Sequence, residues 1–224
     1  MNKLISILIV LCLFIFQSCI EIIDDLTIHE DGSGKLKYII NLSSSRVKVN
    51  SILALDSLDG KRVPSISEIK EKIANFKNTL SMQEGIKSVQ ISENYVDFIF
   101  KIECDFKNVA LLQQGIKKTF EIISNEKSTS ELEFSWILFD SKTLKRSVPS
   151  IALNKLNKLG QSDLDLLKTG SYTSITRFDR VISEFTNILS KVSKDKKSLM
   201  LRTDTFSLKN KYSLLENFIS LVSQ

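Results

Sequence analysis

The chain has 224 residues, 42% of them hydrophobic and 25% charged, with a formal net charge of +5. That balance excludes an intrinsically disordered chain and a multi-span membrane protein. Seven Gly and two Pro exclude a collagen-like or loop-dominated chain, and a single His with three Cys leaves few soft ligands for a transition metal.

The N-terminus places one cation, Lys3, before the nearly all-apolar run Leu4 to Phe16, followed by Gln17-Ser18-Cys19. As a helix this run rises about 20 Å, short of the roughly 30 Å hydrocarbon core, so residues 1–18 read as a cleaved signal peptide rather than a permanent span. Glu21 and the Asp24-Asp25 pair close off any extension. A small residue and then Cys, directly after an apolar run, resembles a bacterial lipobox on Ser18 and Cys19. Phe16 and Gln17 depart from the usual Leu and Ala/Ser/Thr, a looseness shared by Bacteroidetes lipoproteins. The resemblance implies diacylation of Cys19, cleavage before it and acylation of the new amine. Several long chains, each buried methylene contributing ~0.8 kcal/mol, make a permanent anchor. The mature chain, residues 19–224, is then expected to be exported and lipid-anchored to the bacterial cell envelope, at the outer membrane. Processing removes Cys12 and consumes Cys19, which leaves Cys104 as one thiol with no disulfide partner. Strand-like sequence starts at Ile20 with no polar tether, so the fold is expected to sit flush on its membrane.

Ile22, Leu26 and Ile28, then Leu36, Tyr38, Ile40 and Leu42, alternate on either side of Glu30-Asp31-Gly32-Ser33-Gly34, which predicts a β-hairpin. His29 falls on its outward side as a lone surface histidine. The Asp-Gly-Ser-Gly run is explained by the turn, since Asp accepts local amide bonds and Gly takes positive φ. Residues 41–58 fit a helix or an irregular crossing. Ser65 and Glu68 have the spacing of a capping box, and Ile66, Ile69, Ile73, Phe76 and Leu80 recur at helical spacing, with Gly85 as the stop. Val89 and Ile91 begin a strand, Glu93-Asn94 turns, and Val96 to Phe106 alternates with every even residue apolar. Cys104 is thus a small core filler. Asp97, Glu103 and Asp105 share the wet face without metal-loop spacing. One buried and one wet face predict an antiparallel sheet.

Val109, Leu112, Ile116, Phe120 and Ile123 predict a second amphipathic helix; Leu132, Phe134, Trp136 and Leu138 predict a strand with Trp136 anchored in the core. Asp140-Ser141-Lys142 turns the chain toward Leu144 and Val148. Ile151 to Leu159 reads as helical, stopped by Gly160. Thr173–Val181 and Ser198–Leu208 read as strands around a Lys-rich bend, and Leu214, Leu215, Phe218, Ile219 and Val222 as a short closing helix. No linker or repeat interrupts residues 19–224, so one α+β domain is expected: an antiparallel, hairpin-built sheet with amphipathic helices packed on one face.

Charge is uneven along the chain. Residues 19–106 carry 11 Lys and Arg against 14 Asp and Glu; residues 107–224 carry 19 against 12. A basic half can face anionic headgroups, but the plentiful Lys, Ile and Asn fit compositional bias better. Lys191, Lys194, Lys196 and Lys197 have no aromatic residue among them, as expected of a hairpin or helix-end cluster and not of a nucleic-acid partner surface.

The chain has no Gly-x-Ser-x-Gly elbow, phosphate-binding Gly-rich loop, His-Glu-x-x-His or Cys-x-x-Cys. No catalytic residue, cofactor or metal site is expected, and no enzyme. Cys19, the Asp25–Gly34 stretch, Val96-Asp-Phe-Ile-Phe100 and Asp105 to Leu112 together resemble uncharacterised Bacteroidetes lipoproteins of the flavobacterial type. The likeness spans roughly residues 19–124 and brings compartment and architecture but no activity. The expected role is a non-catalytic envelope lipoprotein that binds a protein partner or scaffolds an assembly. The alternative is a lipid or small-ligand carrier with an apolar pocket between sheet and helices.

Overall fold

The computed structural model describes residues 20–124, 135–147 and 167–222. The signal peptide expected over 1–18, Cys19, Leu132 and Phe134, Val148, and the helix expected over Ile151–Leu159 with Gly160 lie outside the described residues.

Alternating residues form β1 (Glu21–Ile28) and β2 (Gly34–Asn41), paired antiparallel as the sequence predicts. Asp31 Oδ1 accepts the Ser33 amide at 2.9 Å and its hydroxyl at 2.6 Å, while Gly32 takes φ +81°. Both features belong to a tight turn. Residues beyond β2 resolve into a 3-10 turn, Ser43–Ser45, and a helix, α1 (Arg46–Leu53). A short hairpin, β3 (Ser57–Leu58) and β4 (Lys61–Arg62), precedes α2 (Ile66–Ser81). The capping box is present: the Glu68 amide donates to Ser65 Oγ at 3.3 Å and the Ser65 amide to Glu68 Oε2 at 2.8 Å. After β5 (Ile86–Asn94) and β6 (Ile99–Phe106) comes the second predicted helix, α3 (Val109–Ser124).

The remaining strands are β7 (Ile137–Phe139), β8 (Thr143–Arg146), β9 (Ser171–Phe178), β10 (Ile182–Phe185), β11 (Ser190–Val192), β12 (Ser198–Asp204) and β13 (Asn217–Leu221); α4 (Thr205–Asn210) follows β12. Seven strands form one sheet in the order β11-β12-β9-β1-β2-β6-β5, and four form a second in the order β10-β13-β8-β7. The α+β composition and mostly antiparallel pairing agree with the sequence. A purely hairpin-built antiparallel sheet does not: β1 pairs with β9 in parallel, Glu21 opposite Ser171 through Ile28 opposite Phe178. Alternation reports which face of a strand is wet and carries no record of its neighbour's direction.

Four further expectations are corrected. The β5–β6 turn lies later than Glu93-Asn94, because Asn94 Oδ1 accepts the amides of Val96 and Asp97 at 2.9 and 3.0 Å. Val96 is therefore exposed in the turn, and Phe98, at φ +54°, is buried from the turn rather than from a strand. At β7 the predicted register is inverted. The buried Gln113 amide takes the Ile137 N–H at 2.9 Å and donates to the Ile137 carbonyl at 2.8 Å, which turns Ile137 inward and Leu138 out. Trp136 packs half-buried against the core beside that strand. The strand starting at Ser198 stops at Asp204, whose carboxylate caps α4 through the Ser207 amide at 2.6 Å. The closing segment is a 3-10 turn, Tyr212–Leu215, and then strand β13, with Asn217, Ile219 and Leu221 inside and Phe218 outside.

One core joins these pieces. Leu26, Ile28, Cys104, Phe106, Phe178 and Leu199 from the large sheet meet Val109 and Leu112 from α3 and Leu144, Ile219 and Leu221 from the small sheet. Leu26 and Leu144 are fully buried, and truncating either to Ala costs about 2–5 kcal/mol.

Candidate functional site

Ile20, the first of the described residues, is held without slack. The Ser171 amide donates to the Ile20 carbonyl at 2.8 Å, and the Thr205 amide donates to the Gly170 carbonyl at 3.0 Å. A Cβ on Gly170 would lie 2.3 Å from Thr205 Oγ1 and 2.4 Å from Ile20 Cγ2, so only glycine admits this approach. Ile20 is thus clamped between the starts of β9 and α4, one residue after Cys19 and one before a central strand of the large sheet.

Four residues further on lies a buried polar cluster that the sequence did not point to. The Arg146 guanidinium, from the end of β8, pairs with the Asp24 carboxylate of β1 and donates to Ser174 Oγ at 2.5 Å. The Tyr172 hydroxyl donates to Asp24 at 2.7 Å. Burial first, and then the Asp24 charge, push the Tyr172 and Tyr38 hydroxyls up, so both stay protonated. Burial alone would lower Arg146, but Asp24 and its neighbours outweigh it and raise it. A saturated network of this kind is structural: its charge is neutralised and its donors are used. Asp24 interrupts the alternating apolar positions Ile22, Leu26 and Ile28, and that polar residue on an inward register position was the available signal.

Cys104 is buried on β6, as predicted, and burial pushes its thiol up to about 11, far from a nucleophile's range. His29 is exposed, as predicted; its Nδ1 lies 3.0 Å from Asp179. Glu103 pairs with Lys37 across strands and with Lys101 along its own strand, Asp105 with Lys35 across strands, and Asp97 in the turn with Arg46 on α1, so these carboxylates all meet cations. Among the described residues no three His, Cys, Asp or Glu converge as a metal site. Lys194, Lys196 and Lys197 lie in the β11–β12 turn, with Asp195 accepting the Lys197 amide at 3.1 Å.

The space between sheet and helices, where a carrier would hold its ligand, is filled by Leu26, Cys104, Phe106, Val109 and Leu112. Between the two sheets at Arg146 the void is about 10 Å³. The larger clefts open to solvent: about 690 Å³ beside Lys145, Asn187 and Phe218, about 600 Å³ beside His29, Glu84 and Lys107, and about 390 Å³ between Asp31 and α3. No helix among the described residues is long and apolar enough to cross a membrane.

No protein family and no curated protein matches the chain. Among solved structures it is similar to the folded domain of the LppM protein of Mycobacterium tuberculosis, with 8% identity, a TM-score of 0.40, and 92% of this chain and 91% of that chain covered.

Proposed function

We propose that residues 19–224 form a single domain of an envelope lipoprotein, held by acyl groups on Cys19, which binds a protein partner or scaffolds an assembly and catalyses no reaction. The observation that carries this reading is the clamp on Ile20. The chain passes from the lipobox-like Ser18-Cys19 into a central strand with no intervening residues to spare. An anchor placed there transmits the position of the membrane to the whole sheet. The Bacteroidetes resemblance adds the outer membrane as the site of residence.

A neutralised Asp24–Arg146 pair, an inward Cys104 and a wet face whose carboxylates are paired with cations support a binding role over a catalytic one. The test is metabolic labelling with radioactive palmitate, followed by separation of inner and outer membranes on a density gradient. The full chain is expected to incorporate label and band with the outer membrane, and Cys19→Ala to lose both. An N-terminal peptide without acyl groups from the wild type overturns the reading. Cross-linking in intact envelopes should then return a defined partner band, abolished together with anchoring in Cys19→Ala.

A further inference from the structure

The register of the large sheet lines up Asn94, Ile99, Asn41, Glu21, Ser171 and Asp204 as one edge row. Everything that continues past this row shares one end of the molecule with Ile20: the approach to α1, the Tyr95–Phe98 turn and the start of α4. Hydrogen bonds bind these pieces to one another, Leu42 N to the Phe98 carbonyl and Thr205 N to the Gly170 carbonyl, both at 3.0 Å. An Arg46–Asp97 ion pair at 3.3 Å ties the first turn of α1 to the turn.

Three apolar side chains at this end stay in solvent. Val47 on α1 is 78% exposed, Val96 in the turn 72% and Phe206 on α4 39%. An isolated exposed valine needs no explanation, but three from separate elements around the lipid attachment point do. Exposed Lys48 neighbours Val47, and Arg202, on β12 next to the edge row, pairs with Glu21 at 3.8 Å. Exposed apolar side chains bordered by Lys48 and by the paired charges Arg202–Glu21 and Arg46–Asp97 suit a surface that lies in the polar headgroup region of a bilayer.

We infer that this edge is a membrane seat: Val47, Val96 and Phe206 bed into the bilayer that holds the Cys19 acyl chains, and the strands stand upright on it. The inference rests on the lipoprotein reading and adds to it an orientation and a second contact. The eight residues of β1 raise the opposite end by about 25 Å. That end carries the Asp31-Gly32 turn and the Lys194–Lys197 turn, so the densest lysine cluster faces away from the lipid, toward the space where a partner would approach.

The experiment uses full-length acylated protein in vesicles of phosphatidylcholine and phosphatidylglycerol, part of the lipid brominated near the headgroup. Single cysteines at Val47→Cys, Val96→Cys, Phe206→Cys and, as control, Lys194→Cys carry an environment-sensitive dye. Buried Cys104 is left in place, and the parent protein reports any labelling of it. The expected result is blue-shifted emission and bromine quenching at 47, 96 and 206, with neither at 194. Vesicle flotation with dyes at 47 and 96 as wet as the one at 194 overturns the seat and leaves the anchor standing. Protein that carries no acyl groups and does not float overturns both.

Discussion

Arg146 and Asp24 join the two sheets by a buried charge pair, at the edge of the apolar core that the sheets share. Removing one partner strands the other's charge in the interior. Asp24→Ala and Arg146→Ala are each expected to cost about 3–5 kcal/mol in urea unfolding. The double substitution Asp24→Leu with Arg146→Met is expected to recover most of that, because an apolar pair of similar volume needs no neutralisation. Tyr172→Phe removes one bond to a carboxylate and is expected to cost about 1.5–3 kcal/mol.

The capping box of α2 gives a pH-dependent prediction. Bonds from the Ser65 amide, then its hydroxyl, hold Glu68 below the ordinary carboxylate range. A lowered folded value means stability present at neutral pH and lost as pH falls through it. Ser65→Ala is expected to destabilise by about 1 kcal/mol at pH 7, with the gap from wild type narrowing in acid, read by chemical denaturation across pH.

Cys104 has the opposite sign. Its thiol is raised from 9.0 to about 11, first by burial and then by Asp105. The unfolded chain releases this proton before the folded one, so stability is full below pH 9 and falls on the way to 11. Relative to Cys104→Ala, the wild type is expected to lose on the order of 2 kcal/mol across that interval. Alkylation of the native protein at pH 8 should be slow and become fast in denaturant.

Gly170→Ala tests the clamp on Ile20. Its new Cβ would overlap Thr205 Oγ1 and Ile20 Cγ2, and overpacking of this kind costs about 1–3 kcal/mol. Hydrogen exchange at the Ser171 amide, which donates to Ile20, is expected to accelerate more than exchange at Leu26 in the middle of β1.

The elements legible in the sequence were those whose reasons are local. The β1–β2 hairpin follows from alternation around an Asp-Gly-Ser-Gly turn, and α2 and α3 from apolar spacing with a cap. What was hidden depended on distant partners. Ile137 faces inward because Gln113, on a helix, holds both of its backbone groups. Leu214, Leu215, Phe218 and Ile219 have helical spacing, yet Asn217 accepts the Thr186 and Asn187 amides and pulls the segment alongside β10. Of the site, the lone outward His29 and inward Cys104 could be read from register. The Asp24–Arg146 pair could not, since its members lie on opposite sides of most of the chain.

The parallel pairing of β1 with β9 also sets the order of events in folding. β1 is made first, yet one of its two edges has no neighbour until residues 171–178 follow. Until then the β1–β2 hairpin presents an open, apolar-faced strand, the kind of edge that invites aggregation. Closure so late in the chain means high contact order and slow collapse. A holdase that shields the nascent edge until β9 is made would matter more for this chain than for one whose strands pair in sequence order.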